Sequence, residues 1–298
     1  MNLVKRIVSG VIGSIVVLGV VYVGARFDVR WIAGALILGV AYLTALEYLH
    51  LMKKLDIPLA APEFLIWIPL LVLSYLVLDG RYADVMLLFA ISYQVLRYLA
   101  VTPHRTGFLQ AVAGVFGLLY IPWLLHYFYL IYLGAPGQSA VMGAANGMTA
   151  LQSRMFGAAN GIIVLLMVFG YDSGAFFVGS AIGRHKAFPN VSPSKTWEGV
   201  AGGFVFTVLA VMVGALLDPL WRDFVYWKGF PHVIVSSVCV GWAVQLGDVF
   251  ASKLKRAAGV KDSGVFLPGH GGALDRIDGL LFALPVFYFY YHYILHFL

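Results

Sequence analysis

Two stretches of this sequence hold most of the side chains capable of chemistry. One runs from Asp172 to Gly199 and contains Ser192-Pro193-Ser194-Lys195-Thr196-Trp197-Glu198. The other runs from Gln245 to Asp278 and contains Asp248, Ser252, Lys255, Arg256, Lys261, Asp262, His270, Asp275 and Arg276. Six of the 14 acids lie in these two stretches. Carboxylates without thiols or paired histidines suit a hard cation such as Mg²⁺. Gly269, Gly271 and Gly272 let the backbone come close to a ligand, and with Lys and Arg beside them such a loop suits phosphate groups. The chemistry indicated is the handling of a polyanion with the help of a cation.

The spacing adds detail. Gln245, Asp248, Ser252 and Lys255 fall on one face of a helix, while Leu246, Val249, Phe250 and Leu254 cover the rest. A polar stripe on an apolar helix is expected to face an internal cavity. For Lys255 and Arg256 the plain alternative is snorkelling to the headgroups; Asp248 is too short for that. Asp275 and Asp278, three residues apart, share a face in the first turn of the last helix, where Asp275 also fits a helix cap. Ser192 is expected as the cap of another helix, with Pro193 in its first position and Lys195 and Thr196 in its first turn. Such a helix start is an anion site, and ordinary capping is its plain alternative. There is no Gly-x-x-x-x-Gly-Lys, no Gly-x-Ser-x-Gly and no His-Glu-x-x-His. Of the eight histidines only His270, inside the glycine-rich loop, is expected to be functional.

These residues must be positioned by elements of an unusual kind. In 298 residues, 61% are hydrophobic and only 11% charged, and mean hydropathy is +0.87. Soluble domains carry about 25% charged residues, so a soluble enzyme, a disordered chain and a nucleic-acid-binding domain are excluded. The class is an all-α, polytopic integral membrane protein. Nine apolar stretches approach the length needed to span a bilayer: 7–25, 31–50, 64–78, 83–100, 108–133, 158–182, 199–217, 231–247 and 280–297. The first is kept as a helix rather than a signal peptide, because no cleavage site follows it. Pro122 is expected to kink the fifth. Residues 134–160, rich in Gly, Ala, Ser and Asn, read as a flexible loop with room for a short interfacial helix and without chemistry. Residues 1–150 are expected to form N-terminal membrane helices poor in motifs, and 151–298 the catalytic region, in one integrated membrane domain. Nine spans place 12 Lys and Arg in loops on one side and 8 on the other. The richer side, which holds both polar stretches, is expected to face the cytoplasm. The single Cys239 allows no intrachain disulfide and no Cys-x-x-Cys metal site.

The run Ser252-x-Leu254-Lys255-Arg256-x4-Lys261-Asp262-x-Gly264-x2-Leu267-Pro268-x-His270-Gly271-Gly272-x2-Asp275-Arg276-x-Asp278 resembles the signature of phosphatidate cytidylyltransferases, the CDP-diacylglycerol synthases. Asp172-Ser-Gly-Ala-Phe-Phe and Ser192-Pro-Ser-Lys-Thr-Trp-Glu-Gly199 resemble other blocks of that family, so the likeness covers about residues 170–285. Two departures are Ala273, where the family has a larger aliphatic, and Ala251, where an acid often precedes the serine. The resemblance implies transfer of CMP from CTP to phosphatidate, giving CDP-diacylglycerol and pyrophosphate. It also implies a Mg²⁺ requirement with a second cation such as K⁺ as a further candidate, a cytoplasm-facing polar cavity in the cytoplasmic (inner) membrane, and a homodimer. On this reading Asp248 and Asp275 hold the metal, and Lys255, Arg256, Lys261 and Arg276 bind phosphates. Ser192, Lys195 and Thr196 cradle another phosphate with Gly271 and Gly272 close by, and Asp172, Glu198, Asp262 and Asp278 are outer or nucleoside contacts. The alternatives are a CTP-dependent polyprenol or other lipid kinase of similar fold, which releases CDP, and a transporter, for which no repeat is visible.

Overall fold

The computed structural model describes residues 3–78, 82–133, 150–217, 229–264 and 271–294. These fold almost entirely into helices: α1 (Leu3–Arg26), α2 (Arg30–Lys54), α3 (Ala61–Leu78), α4 (Ala83–Val101), α5 (His104–Leu118), α6 (Leu124–Leu133), α7 (Ala150–Ile182), α8 (Trp197–Leu217), α9 (Phe230–Ala257) and α10 (Leu274–Phe289). A short antiparallel hairpin, β1 (Lys186–Phe188) and β2 (Ser192–Thr196), joins α7 to α8. The physical reason for the helices is plain: a spanning segment has no water to satisfy its backbone, so it must bond to itself.

Among the described residues six helical stretches are long and apolar enough to cross a membrane: Trp31–Lys54, Ala83–Ala100, His104–Tyr132, Gly157–Ile182, Trp197–Leu216 and Phe230–Ala257. Ile15–Arg26 and Ala61–Tyr75 are apolar helices of shorter reach. The expected segments at 7–25, 64–78 and 280–294 are thus helical, yet they are not among the six. Residues 295–298 lie outside the described residues, as does 134–149 of the expected loop. Residues 150–160 are not loop at all: α7 begins at Ala150 and runs on through the expected span.

Pro122 does disturb its helix. It sits in a π-helical turn, Leu119–Trp123, that links α5 to α6 without ending the span, because a proline removes one backbone donor and its ring displaces the preceding turn. Large apolar side chains remain exposed on the outer helices, such as Leu88, Phe89 and Leu96 on α4, as a lipid-facing surface requires.

The tightest helix pair is α7 on α8. Small residues line the seam. A Cβ on Gly174 would lie 2.6 Å from the Gly202 carbonyl oxygen, and one on Gly199 would lie 2.8 Å from that of Ala175. Small residues let two membrane helices close up where lipid supplies no hydrophobic drive. The next closest pair is α9 on α10. These two hairpins, α7–β1–β2–α8 and α9–loop–α10, carry the candidate site.

Candidate active site

The site lies where the C-terminal ends of α7 and α9 meet the N-terminal ends of α8 and α10. Asp248 stands nine residues before the last residue of α9, about 13 Å along the helix at 1.5 Å per residue. The polar stripe of α9 is as its spacing predicts. Gln245 is 2% exposed and accepts a hydrogen bond from the Tyr171 hydroxyl of α7 at 3.0 Å. Ser252 donates to Asp248 Oδ1 at 3.2 Å. Lys255 is 8% exposed, and its Nζ donates to Asp275 Oδ1 at 2.5 Å. It does not snorkel; it points across to α10. Gly259, at φ +69°, ends the helix by turning the chain back so that the Val260 N–H meets the Lys255 carbonyl at 3.0 Å.

Lys195 comes from β2 and forms an ion pair with Asp248. Two lysines thus neutralise two acids, each pair drawn from different elements. Around them stand Asp172 of α7 and Asp278 of α10. The charge of Asp172 interacts with those of Asp248, Lys195 and Arg276, and that of Asp278 with Asp248, Asp172 and Lys255. Asp172 is solvent-accessible, while Asp248, Lys195 and Asp278 are partly so. Four carboxylates, Asp172, Asp248, Asp275 and Asp278, against three cations, Lys195, Lys255 and Arg276, give a densely charged site at the end of the bundle.

Asp275 has both oxygens engaged. Oδ1 takes Lys255, and Oδ2 accepts the N–H groups of Ser263 at 3.0 Å and Gly272 at 2.8 Å. The carboxylate therefore ties down both ends of the loop between α9 and α10. Gly271 adopts φ +77°, which an L side chain resists, and this brings its neighbour's N–H onto Asp275. His270 lies outside the described residues, as do 265–269.

The expected helix start at Ser192 is corrected. Ser192–Thr196 is a strand, and the helix starts at Trp197. The cap is Thr196, whose hydroxyl accepts the Gly199 N–H at 3.2 Å. Glu198 bonds away from the acids. It accepts the N–H groups of Arg184 and His185 at 3.1 and 3.2 Å and pairs with the His185 ring at 2.6 Å, so it holds the turn between α7 and β1. Arg256, Lys261, Asp262 and Arg276 are exposed at the rim, and Arg256 reaches the Val260 carbonyl at 3.4 Å.

One acid absent from the sequence reading is central to the loop. Glu47 of α2 accepts hydrogen bonds from the Ser263 hydroxyl at 2.7 Å and from the N–H groups of Ala273 at 2.7 Å and Leu274 at 2.9 Å. No motif marks it, and more than 200 residues separate it from its partners. Its only signal is a carboxylate inside an apolar run, where an unpaired charge is costly.

Among the described residues no three His, Cys, Asp or Glu side chains stand close enough to enclose a metal ion. The donor set still suits Mg²⁺, which takes one or two carboxylates and completes its shell with water and substrate phosphate. Each expected ligand, Asp248 and Asp275, already holds a positive group, the ammonium of Lys195 or of Lys255.

Residues 4–294 match the family model described as the cytidylyltransferase family. The chain is 32% identical over 292 residues to a phosphatidate cytidylyltransferase of Bacillus subtilis, covering 96% of each chain. It is 45% identical over 137 residues to one from Thermotoga maritima, covering 45% of this chain and 50% of that one. For the enzyme of the same name from Haemophilus influenzae the identity is 42% over 136 residues, covering 45% and 46%.

Proposed function

The chain belongs to the cytidylyltransferase family, and from that membership we propose that it transfers CMP from CTP to phosphatidate, forming CDP-diacylglycerol and pyrophosphate in the membrane. The observation that carries this reading is the pair of lysine–carboxylate contacts, Lys195 on Asp248 and Lys255 on Asp275, set at one end of a membrane bundle. The named activity of the relatives supports the substrates.

In this reaction a phosphate oxygen of phosphatidate bonds to the α-phosphorus of CTP, and the bond from that phosphorus to the bridging α–β oxygen breaks. Pyrophosphate leaves with the electron pair. No general base is required, since a phosphate monoester has its second pKa near 6. What must be overcome is the meeting of two polyanions, so charge neutralisation and alignment dominate. Mg²⁺ held by Asp248 and Asp275 would withdraw charge from the nucleotide phosphates. Lys195 and Lys255, which stand against those carboxylates, would offer N–H donors to phosphate oxygens. Arg276 adds a third cation, and Arg256 and Lys261 meet the incoming phosphates at the rim. Asp172 and Asp278 keep the lysines oriented between them. Thr196 and Glu198 act one step further out, by capping α8 and fixing the turn that carries Lys195.

The lipid tails stay in the bilayer and the headgroup enters between helix ends. We further propose that the site faces the cytoplasm, which the loop charge bias supports, and that the enzyme is a homodimer of the cytoplasmic membrane, as the family resemblance implies. The test is purified protein in mixed micelles with phosphatidate, CTP and Mg²⁺. Equal amounts of pyrophosphate and CDP-diacylglycerol, both lost on adding EDTA, are expected. Release of CDP with a lipid alcohol as acceptor, and no pyrophosphate, would instead make the chain a lipid kinase.

A further inference from the structure

We propose that Glu47, on the second helix, is a positioning residue for the catalytic loop: it caps α10 from outside and clamps the two ends of the loop that carries the phosphate-binding residues. Three observations converge. The first residue before α10 is Ala273, which has no side chain able to cap, so the opening N–H groups of that helix need an acceptor from elsewhere. Glu47 supplies it, one oxygen to Ala273 and the other to Leu274, and its negative charge is favoured at a helix N-terminus. The same carboxylate accepts the Ser263 hydroxyl on the far side of the loop, so Ser263 and Leu274 are held to one point.

The neighbouring residues make room for it. A Cβ on Gly264 would lie 2.5 Å from Glu47 Oε1, and one on Gly272 would run into Oε2 and the Ser263 hydroxyl. The mounting is firm as well. Tyr48, the next residue, is 1% exposed and donates from its hydroxyl to the Ala113 carbonyl of α5 at 2.7 Å. Asp275 binds the same two loop ends from inside the site, through Ser263 and Gly272. Two acids thus grip one loop. Asp275 also faces Lys255, whereas the hydrogen bonds of Glu47 among the described residues go to Ser263 and to the start of α10. Glu47 acts on the reaction through the placement of Asp275, Arg276 and the loop ends at Ser263 and Gly272.

The kinetic part of this inference rests on the cytidylyltransferase reading; the exchange part does not. Glu47→Gln keeps the shape and turns one acceptor into a donor facing donors. In detergent-purified protein, amide exchange at 271–274 is expected to quicken about tenfold, with the unfolding midpoint lowered by only a few degrees and the exchange of α7 and α8 quickened less than that of 271–274. kcat is expected to fall about tenfold or more with KM for phosphatidate unaltered. Glu63→Gln, which removes a carboxylate paired with Arg97 and Tyr93 away from the site, serves as control and is expected to leave both readouts alone. Unaltered exchange at 271–274 in Glu47→Gln, or quickening through every helix together, overturns the proposal. Should Glu47→Gln fail to fold, Ser263→Ala removes one arm of the clamp; kcat is expected to drop about threefold, and kcat unchanged would overturn it. A folded wild type that releases no pyrophosphate would refute the function, and the exchange result would still decide the clamp.

Discussion

Lys195 and Asp248 belong to different hairpins, and their pairing is what makes a site of two separate polar stretches. The 3.6-residue spacing of Gln245, Asp248, Ser252 and Lys255 was readable because helix geometry alone puts them on one face. Their partners were not readable, since Tyr171, Lys195 and Asp275 are brought up by other elements. At Ser192–Thr196 the residue types misled: Ser followed by Pro suits a helix start, but it also suits a strand with a bulge. Pairing with β1 decided the matter, leaving residues 193–195 opposite Ala187 alone, so the proline owes the ladder no donor. If Lys195 turns from Asp248 to a CTP phosphate, Lys195→Ala should raise KM for CTP about tenfold, the scale of one charge-assisted hydrogen bond. KM for phosphatidate should move less. Steady-state kinetics in mixed micelles checks this, and an unchanged KM for CTP returns Lys195 to a purely structural pairing.

Among the elements, α7 and α8 matter most, because their seam sets where Asp172 and Lys195 stand. The glycines along it were visible in the sequence, but nothing there told which helix each would face. Gly174→Ala would press a methyl group against the Gly202 carbonyl and the Phe206 side chain, both 2.6 Å from the new carbon. Overpacking of this kind costs about 1–3 kcal/mol. A thermal shift assay in detergent should therefore show a lower unfolding midpoint, with activity falling because the helix ends separate. Gly19, with open space around it, is the matched position where the same change should have little effect. The disturbance at Pro122, seen as a π-helical turn, was legible because proline carries its own steric rule. The early start of α7 at Ala150 was not: Gly, Ala, Ser and Asn read locally as loop, yet packing against α1 and α6 holds them in a helix.

Over the whole molecule, ion pairs sort the loops into two sets. Arg97–Glu63, Lys195–Asp248 and Lys255–Asp275 join segments expected on one side, and Arg154–Asp28 joins segments expected on the other. On the proposed orientation, which follows the positive-inside bias, the first side is the cytoplasmic one. In a Cys239→Ala background, Arg184→Cys should react with a membrane-impermeant maleimide in inside-out vesicles, and Phe27→Cys in right-side-out ones. The reverse pattern would place the site outside the cytoplasm and away from CTP. Composition by itself decided that this chain lives in a membrane, since 11% charge is too little to cover a soluble surface. Local spacing decided the inward stripe on α9, and the motif run pointed to the family. Only the tertiary structure decided which charges neutralise which, and that Glu47, from the half of the chain poor in motifs, caps α10 and binds Ser263. The reason is physical. Periodicity and composition are properties of neighbours along the chain, whereas a carboxylate finds its donors through space, and α2 meets the start of α10 only when the bundle has packed.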